Sequence, residues 1–138
     1  MPIREESDLR QVYRERYAPA VAAANVVAER EALGSDYSAT GYTTMAQAEQ
    51  LLSLLALQPE HLLLDVGAGC GWPGLHLAKR AGCRVVVTDL AIDGMRQASR
   101  RAAIDGMASR SAAVVGSARH LPFRPDSFDA IVHTDVLC

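Results

Sequence analysis

The chain has 138 residues, of which 49% are hydrophobic, and its 14 basic and 16 acidic residues leave a formal net charge of −2. This length suits one globular domain, and the near-neutral charge argues against a nucleic-acid-binding protein. Its three cysteines fit neither a disulfide framework nor a zinc site, and no apolar run reaches membrane-spanning length. We therefore expect a cytoplasmic protein that holds no metal and does not enter the membrane.

The first part of the chain is predicted to be helical. Apolar residues recur at helical spacing through residues 1–34, Pro19 should kink or split the helix, and Gly34 should end it. We assign residues 1–40 to an N-terminal arm. Two roles remain open for it: packing against its own domain, or acting as a lid over a ligand or as a dimer-forming helix.

A polar linker at residues 35–42 separates this arm from the next helix. Thr44 and Gln47 are spaced as a capping box, and apolar residues then continue at helical spacing to Leu55, before Pro59. The pattern predicts a capped helix over residues 45–55. Residues 41–138 are assigned to one domain.

Beyond Pro59, short apolar runs alternate with helical patterns. This alternation is typical of an α/β fold with a parallel sheet and right-handed crossovers. A turn-rich segment with two prolines, residues 118–126, precedes the last strand. The strands are predicted at residues 62–66, 84–89, 111–116 and 129–137, and the helices between them at 73–81 and 92–104.

The strand at 62–66 leads into the most informative stretch, Asp65-x-Gly67-x-Gly69-x-Gly71, with Pro73 opening a helix. Glycines at alternate positions let the backbone take positive φ and approach a ligand closely, and the helix start offers free N–H groups. The pattern predicts a ligand-binding loop at the carboxyl end of the first strand.

Two carboxylates follow neighbouring strands. Asp89 ends the second strand about 20 residues after Gly69, the distance at which an acidic residue accepts hydrogen bonds from ribose hydroxyls. Residues 69–74 also match the dinucleotide pattern G-x-G-x-x-G, but a pyrophosphate would lie unfavourably beside Asp65. A nucleoside ligand that carries an ammonium group, such as S-adenosylmethionine, fits both carboxylates.

From Gly41 to Cys138 the sequence resembles the class I S-adenosylmethionine-dependent methyltransferases. The resemblance comprises the glycine-rich stretch, Asp89, the turn Leu121-Pro122-Phe123, and residues 126–132 leading into strand four. It implies a Rossmann-like sheet of order 3-2-1-4, with S-adenosylmethionine as cofactor and a small molecule as methyl acceptor.

The resemblance also implies roles for individual residues. Ser117 stands where the family usually has an aspartate that meets the adenine amino group, and a neutral hydroxyl is a weaker acceptor. His133 would line the methyl-transfer site as the candidate base, although a structural role for it stays open. The implied cofactor-binding residues on the methionine side are Asp65, Gly67, Ala68, Gly69 and Gly71. Asp89 would bind the ribose, and Leu90, Ser117 and Ala118 would surround the adenine. His133 would lie near the transferred methyl group, and Tyr42, with Tyr37, would lie over the cofactor.

The family's sheet has seven strands, and four are predicted here. Either the chain is a fragment of a longer protein, or the long apolar edge of the fourth strand is covered by the N-terminal helix or by another copy in a homo-oligomer. We favour a fragment or truncated gene product that self-association could stabilise. Two hypotheses follow, a small-molecule methyltransferase and a non-catalytic, self-associating remnant that binds S-adenosylmethionine. An NAD-dependent oxidoreductase is a weaker third.

Overall fold

The computed structural model of the chain describes residues 5–136. Within that range, strands and helices alternate between residues 62 and 115, as the sequence predicts. In chain order the elements are α1 (Glu6–Arg16), α2 (Pro19–Leu33), α3 (Met45–Leu55), β1 (Leu62–Val66), α4 (Gly74–Ala81), β2 (Arg84–Asp89), α5 (Ile92–Ile104), β3 (Ser111–Val115) and β4 (Ala130–Val132).

The strands form one parallel sheet in the order β3-β2-β1-β4, which confirms the predicted α/β fold and strand order. In the register, Leu64 pairs with Val86 on one side and with Ile131 on the other. Because all four strands run in the same direction, their carboxyl ends meet at one edge of the sheet. That edge is where open α/β sheets bind ligands.

The predicted break at Pro19 is confirmed. The helical segment divides into α1 and α2, and Pro19 occupies the first turn of α2, where its missing N–H costs no hydrogen bond. Gly34 ends α2 with φ of 76°, a left-handed conformation that favours glycine.

The predicted capping box is confirmed at the start of α3. The Gln47 backbone N–H donates to Thr44 Oγ1 at 3.2 Å, and the Thr44 N–H donates to Gln47 Oε1 at 2.9 Å. These two bonds satisfy donors that a helix start would otherwise leave unpaired. The beginning of α3 is therefore fixed by local chemistry.

The core lies between the sheet and helices α3, α4 and α5. Its largest fully buried apolar side chains include Leu63 and Leu64 of β1 and Leu75 and Leu77 of α4. Burying each such side chain stabilises the fold by roughly 1.5–3 kcal/mol. The loop between β1 and α4 is thus held at both ends by well-packed residues.

The predicted extent of the fourth strand is wrong. Strand β4 covers only Ala130–Val132, because the chain turns away from the sheet after Val132. Asp135 adopts φ of 56°, and its Oδ2 accepts hydrogen bonds from Tyr42 N at 2.9 Å and from Thr43 N at 3.2 Å. The exposed edge is therefore short: residues 133–136 of the predicted strand are not in the sheet, and Leu137 lies outside the described residues.

Two features concern the described residues as a whole. Over residues 5–136 no helix combines the length and apolar character that crossing a bilayer requires. The same residues contain no group of three or more His, Cys, Asp or Glu side chains placed to hold a metal ion.

Candidate functional site

A cavity of about 450 Å³ opens beyond the carboxyl ends of β1, β2 and β3. The segments that follow these strands form its floor, α1 and the linker after α2 cover it, and residues after β4 close one side. Its volume falls within the range of roughly 300–1,000 Å³ that is typical of small-ligand sites. The cavity brings together the predicted site residues Gly67, Ala68, Gly69, Asp89, Leu90, Ser117, Ala118 and Tyr42.

The glycine-rich loop crosses the end of β2. Backbone N–H groups of Gly67 and Ala68 both donate to Thr88 O, at 2.8 and 3.0 Å. Gly69 has φ of 57°, and a Cβ at this position would lie 2.8 Å from Tyr17 Oη. Only glycine therefore allows the loop and the N-terminal arm to approach each other this closely. Residues 67–69 line the cavity, with the Val136 side chain against Gly67 and the Tyr17 side chain against Gly69.

Asp89 joins the glycine loop to the end of β2. Its Oδ2 accepts a hydrogen bond from Gly69 N at 2.9 Å, and its Oδ1 accepts one from Ala91 N at 3.0 Å. Burial raises the pKa of this carboxyl above its ordinary value, although the backbone N–H groups oppose the shift. Each carboxylate oxygen can accept a further hydrogen bond from a ligand hydroxyl.

The structure does not bring Asp65 into the cavity. Its side chain is buried behind the glycine loop, where Oδ2 accepts a hydrogen bond from Gly74 N at 2.7 Å, at the start of α4. Oδ1 has no hydrogen-bond partner, and burial raises the pKa of the carboxyl well above its ordinary value. The Asp65 carboxyl thus supports the loop from behind, because it satisfies an N–H group of the α4 terminus. Gly71 likewise faces the protein interior, against Leu75.

The β3 end of the cavity contains Ser117 and Ala118. The Ser117 hydroxyl donates to Glu6 Oε1 of α1, and its oxygen accepts a hydrogen bond from Arg119 N at 3.1 Å. Nearby, Leu90 O accepts a hydrogen bond from Arg10 Nη1 at 3.2 Å. Helix α1 therefore reaches two of the residues predicted to surround an adenine.

Tyr17 closes the cavity at the end of α1. It is 3% exposed, and its hydroxyl hydrogen-bonds with Thr40 Oγ1 at 3.2 Å. Burial raises the pKa of the Tyr17 hydroxyl above its ordinary value, and it raises the pKa of the neighbouring Cys70 thiol to about 12. Both groups are accordingly neutral at physiological pH.

The two predicted tyrosines of the linker differ in position. Tyr42 lines the cavity and is 83% exposed, so it stands at the cavity mouth. Tyr37 is buried outside the cavity, where its ring lies 5.2 Å from the Trp72 ring and 3.9 Å from the Arg101 guanidinium carbon. Tyr37 therefore fastens the linker to the core.

The structure places the candidate base His133 away from the cavity. His133 is exposed and does not line the cavity wall, whereas Thr134, Asp135 and Val136 do. Among the described lining residues no histidine occurs. The Asp135 carboxylate accepts hydrogen bonds from the backbone N–H groups of Tyr42 and Thr43, which shows a structural function for it.

Sequence reasoning missed several cavity residues. Glu6, Tyr13 and Tyr17 of α1 line the cavity, although nothing in their helical pattern indicates a ligand. Thr88 also lines it, and its Oγ1 is buried without a hydrogen-bond partner. The sequence does indicate Thr88, because it comes directly before Asp89 at the end of β2, where parallel sheets bind ligands.

Comparison with known proteins finds relatives of this chain. A family model described as "Methyltransferase domain" matches residues 63–138. Over 83 residues the chain is 35% identical to Methyltransferase GfsG of Streptomyces halstedii, covering 60% of this chain and 30% of that protein. Over 98 residues it is 33% identical to 24-methylenesterol C-methyltransferase 2 of Oryza sativa subsp. japonica, covering 69% of this chain and 26% of that protein.

A solved structure is similar as well. It is described as a SAM-dependent methyltransferase from Geobacter sulfurreducens in complex with S-adenosyl-L-homocysteine, and it superposes with a TM-score of 0.61 at 25% identity. The match covers 67% of this chain and 37% of that one. The chain thus spans less than a third of the length of the two curated relatives.

Proposed function

The chain belongs to the methyltransferase domain family, and we propose that it binds S-adenosylmethionine in the cavity beyond β1, β2 and β3. The observation that carries this proposal is the hydrogen bond from Gly69 N to Asp89 Oδ2, 2.9 Å long. It joins a glycine loop and a carboxylate at one cavity wall, and this pair suits a ligand that contains a ribose.

The residues present fit such a ligand. Asp89 would accept hydrogen bonds from the ribose hydroxyls, and Leu90 offers an apolar surface to the adenine. The backbone at residues 67–69 lines the cavity beside Asp89 and would face the methionine part, next to the Val136 and Tyr17 side chains that pack on Gly67 and Gly69. Thr88 Oγ1, buried beside the cavity without a partner, is one further polar atom that a ligand could satisfy.

Bound S-adenosylmethionine supplies an electrophilic methyl group. The chain's own residues contribute orientation and the exclusion of water, since α1 and the linker cover the cavity. Tyr17 and Cys70 are both held neutral by burial, so neither serves as a base at neutral pH. His133 lies outside the cavity lining and therefore takes no part in proton transfer.

We propose a small molecule as the methyl acceptor of the whole protein. The support is the similarity to the rice protein, which is named as a sterol methyltransferase, together with a net charge of −2 that favours no nucleic acid. Transfer of labelled methyl groups to a cell extract tests this. We expect label in the small-molecule fraction, and label confined to protein or RNA would contradict the proposal.

Titration calorimetry with S-adenosylhomocysteine tests the cofactor. We expect wild-type binding, with NADH unable to compete, and a loss of about tenfold or more in affinity for Asp89→Asn, since a charged acceptor is removed. Asp126→Asn is the matched control, because it removes one charge from an exposed loop outside the cavity. Absence of wild-type binding, or equal affinity in Asp89→Asn, would refute the proposal.

A further inference from the structure

Helix α1 forms one wall of the cavity. Its residues Glu6, Leu9 and Tyr13 line the cavity, and its C-terminal cap Tyr17 is buried there. Arg10 of the same helix donates from Nη1 to Leu90 O at 3.2 Å. This bond and the bond between Ser117 and Glu6 hold α1 against the segments that follow β2 and β3.

Glu6 is the only acidic residue that α1 contributes to this wall. The other acidic lining residues in the described part of the chain, Asp89 and Asp135, accept hydrogen bonds from backbone N–H groups of the glycine loop and of the linker. Glu6 instead accepts a hydrogen bond from the Ser117 hydroxyl. Over residues 5–136, no backbone N–H donates to the Glu6 carboxylate, which stands at the β3 end of the cavity.

The order of the strands indicates which part of the ligand lies near Glu6. Strand β2, which ends in Asp89, lies between β1 and β3 in the sheet. A ribose held by Asp89 has its base on one side and its 5′ substituent on the other. Because the glycine loop after β1 takes the 5′ substituent, the base lies towards the segment after β3.

Adenine presents an exocyclic amino group, which is a hydrogen-bond donor. Ser117 offers only a neutral oxygen, and that oxygen already accepts a hydrogen bond from Arg119 N at 3.1 Å. A carboxylate is the stronger acceptor for an amino group, and Glu6 Oε2 is available beside the oxygen that Ser117 engages. The Ser117 hydroxyl thereby holds the Glu6 carboxylate in place.

We propose that Glu6 accepts the hydrogen bond from the adenine amino group, so that a side chain of the N-terminal arm determines base specificity. This inference rests on the proposed binding of S-adenosylmethionine. Under this proposal α1 supplies the charged acceptor at the β3 end of the cavity, where Ser117 offers only a neutral hydroxyl.

Calorimetry with two ligands tests it: S-adenosylhomocysteine and its 6-deamino analogue, in which purine replaces adenine. Wild type should prefer the adenine ligand by about tenfold, and Glu6→Ala should reduce this preference to about twofold or less. Asp8→Ala is the matched control, because Asp8 lies in the same first turn but is exposed and does not line the cavity. It should keep the wild-type preference.

The outcomes separate the two proposals. If wild type binds neither ligand, the proposed cofactor fails and this inference fails with it. If wild type binds S-adenosylhomocysteine and Glu6→Ala keeps the full preference for adenine, only the inference is overturned. Tighter binding of both ligands by Glu6→Ala would also overturn it, since Glu6 would then obstruct the site.

Discussion

Gly94 permits the close approach of α5 to the glycine loop, and its replacement by alanine tests whether that approach holds the loop in place. A Cβ at this position would lie 2.6 Å from Gly69 O and 3.1 Å from Tyr17 Cδ2. Cβ contacts under 3.0 Å essentially never occur, so either the loop backbone or α5 would have to move. The nearest obstacle is a backbone atom, which yields far less easily than the end of a flexible side chain.

Two effects of opposite sign act in Gly94→Ala. Alanine in a helix interior is more favourable than glycine by about 1 kcal/mol, because glycine loses more backbone entropy on folding. Overpacking a tight contact costs about 1–3 kcal/mol. The collision with Gly69 O should dominate, so we expect a net loss in the free energy of unfolding of up to about 2 kcal/mol.

Urea unfolding and calorimetry with S-adenosylhomocysteine measure the two consequences. Displacement of Gly69 lengthens its hydrogen bond to Asp89, so affinity should fall by about tenfold. Ser99→Ala, on the exposed face of α5, is the control and should stabilise by a few tenths of a kcal/mol with unchanged binding. A Gly94→Ala variant that is more stable than wild type and binds normally would refute the close contact.

Two further predictions concern buried carboxyl groups. Burial raises the pKa of Asp65 in the folded state. Above about pH 4 the folded chain therefore keeps a proton that the unfolded chain releases. As the pH rises from there towards the folded-state pKa, the free energy of unfolding of the wild type should decrease. Asp65→Asn should flatten this profile in urea unfolding, and parallel profiles would contradict it. Glu29 is 5% exposed and accepts hydrogen bonds from Ser35 Oγ at 2.7 Å and from two backbone N–H groups of the linker. Glu29→Gln turns one acceptor into a donor and should cost about 1.5–3 kcal/mol in urea unfolding, whereas exposed Glu31→Gln should change little; equal effects would refute this role.

The elements predicted well are those whose signals are local. The capping box at Thr44 and Gln47, the break at Pro19 and the end at Gly34 each depend on residues within a few positions of one another. The end of β4 depends instead on Asp135, whose hydrogen bonds reach Tyr42 and Thr43 far along the chain. An apolar pattern through residues 130–137 contains no sign of that contact.

The same distinction applies to the site. The glycine loop and Asp89 were predictable, because parallel strands place their carboxyl ends at one edge and the spacing of the motif is fixed by the fold. The position of helix α1 at the cavity was not predictable from its sequence pattern. It depends on contacts such as Glu6 with Ser117 and Arg10 with Leu90, and helical spacing of apolar residues does not indicate them. Asp65 was assigned to the ligand by charge, but its burial behind the loop follows from the hydrogen bond to Gly74.

The linker at residues 35–42, which covers the cavity, is held in place at both of its ends. Glu29 fixes the beginning of the linker, and Asp135 fixes its end through Tyr42 and Thr43. Between these points Thr40 bonds with Tyr17, which rests against Gly69. A movement of the linker is therefore coupled to both α1 and the residues after β4. Tyr42, which lines the cavity and is exposed, lies between these two attachments.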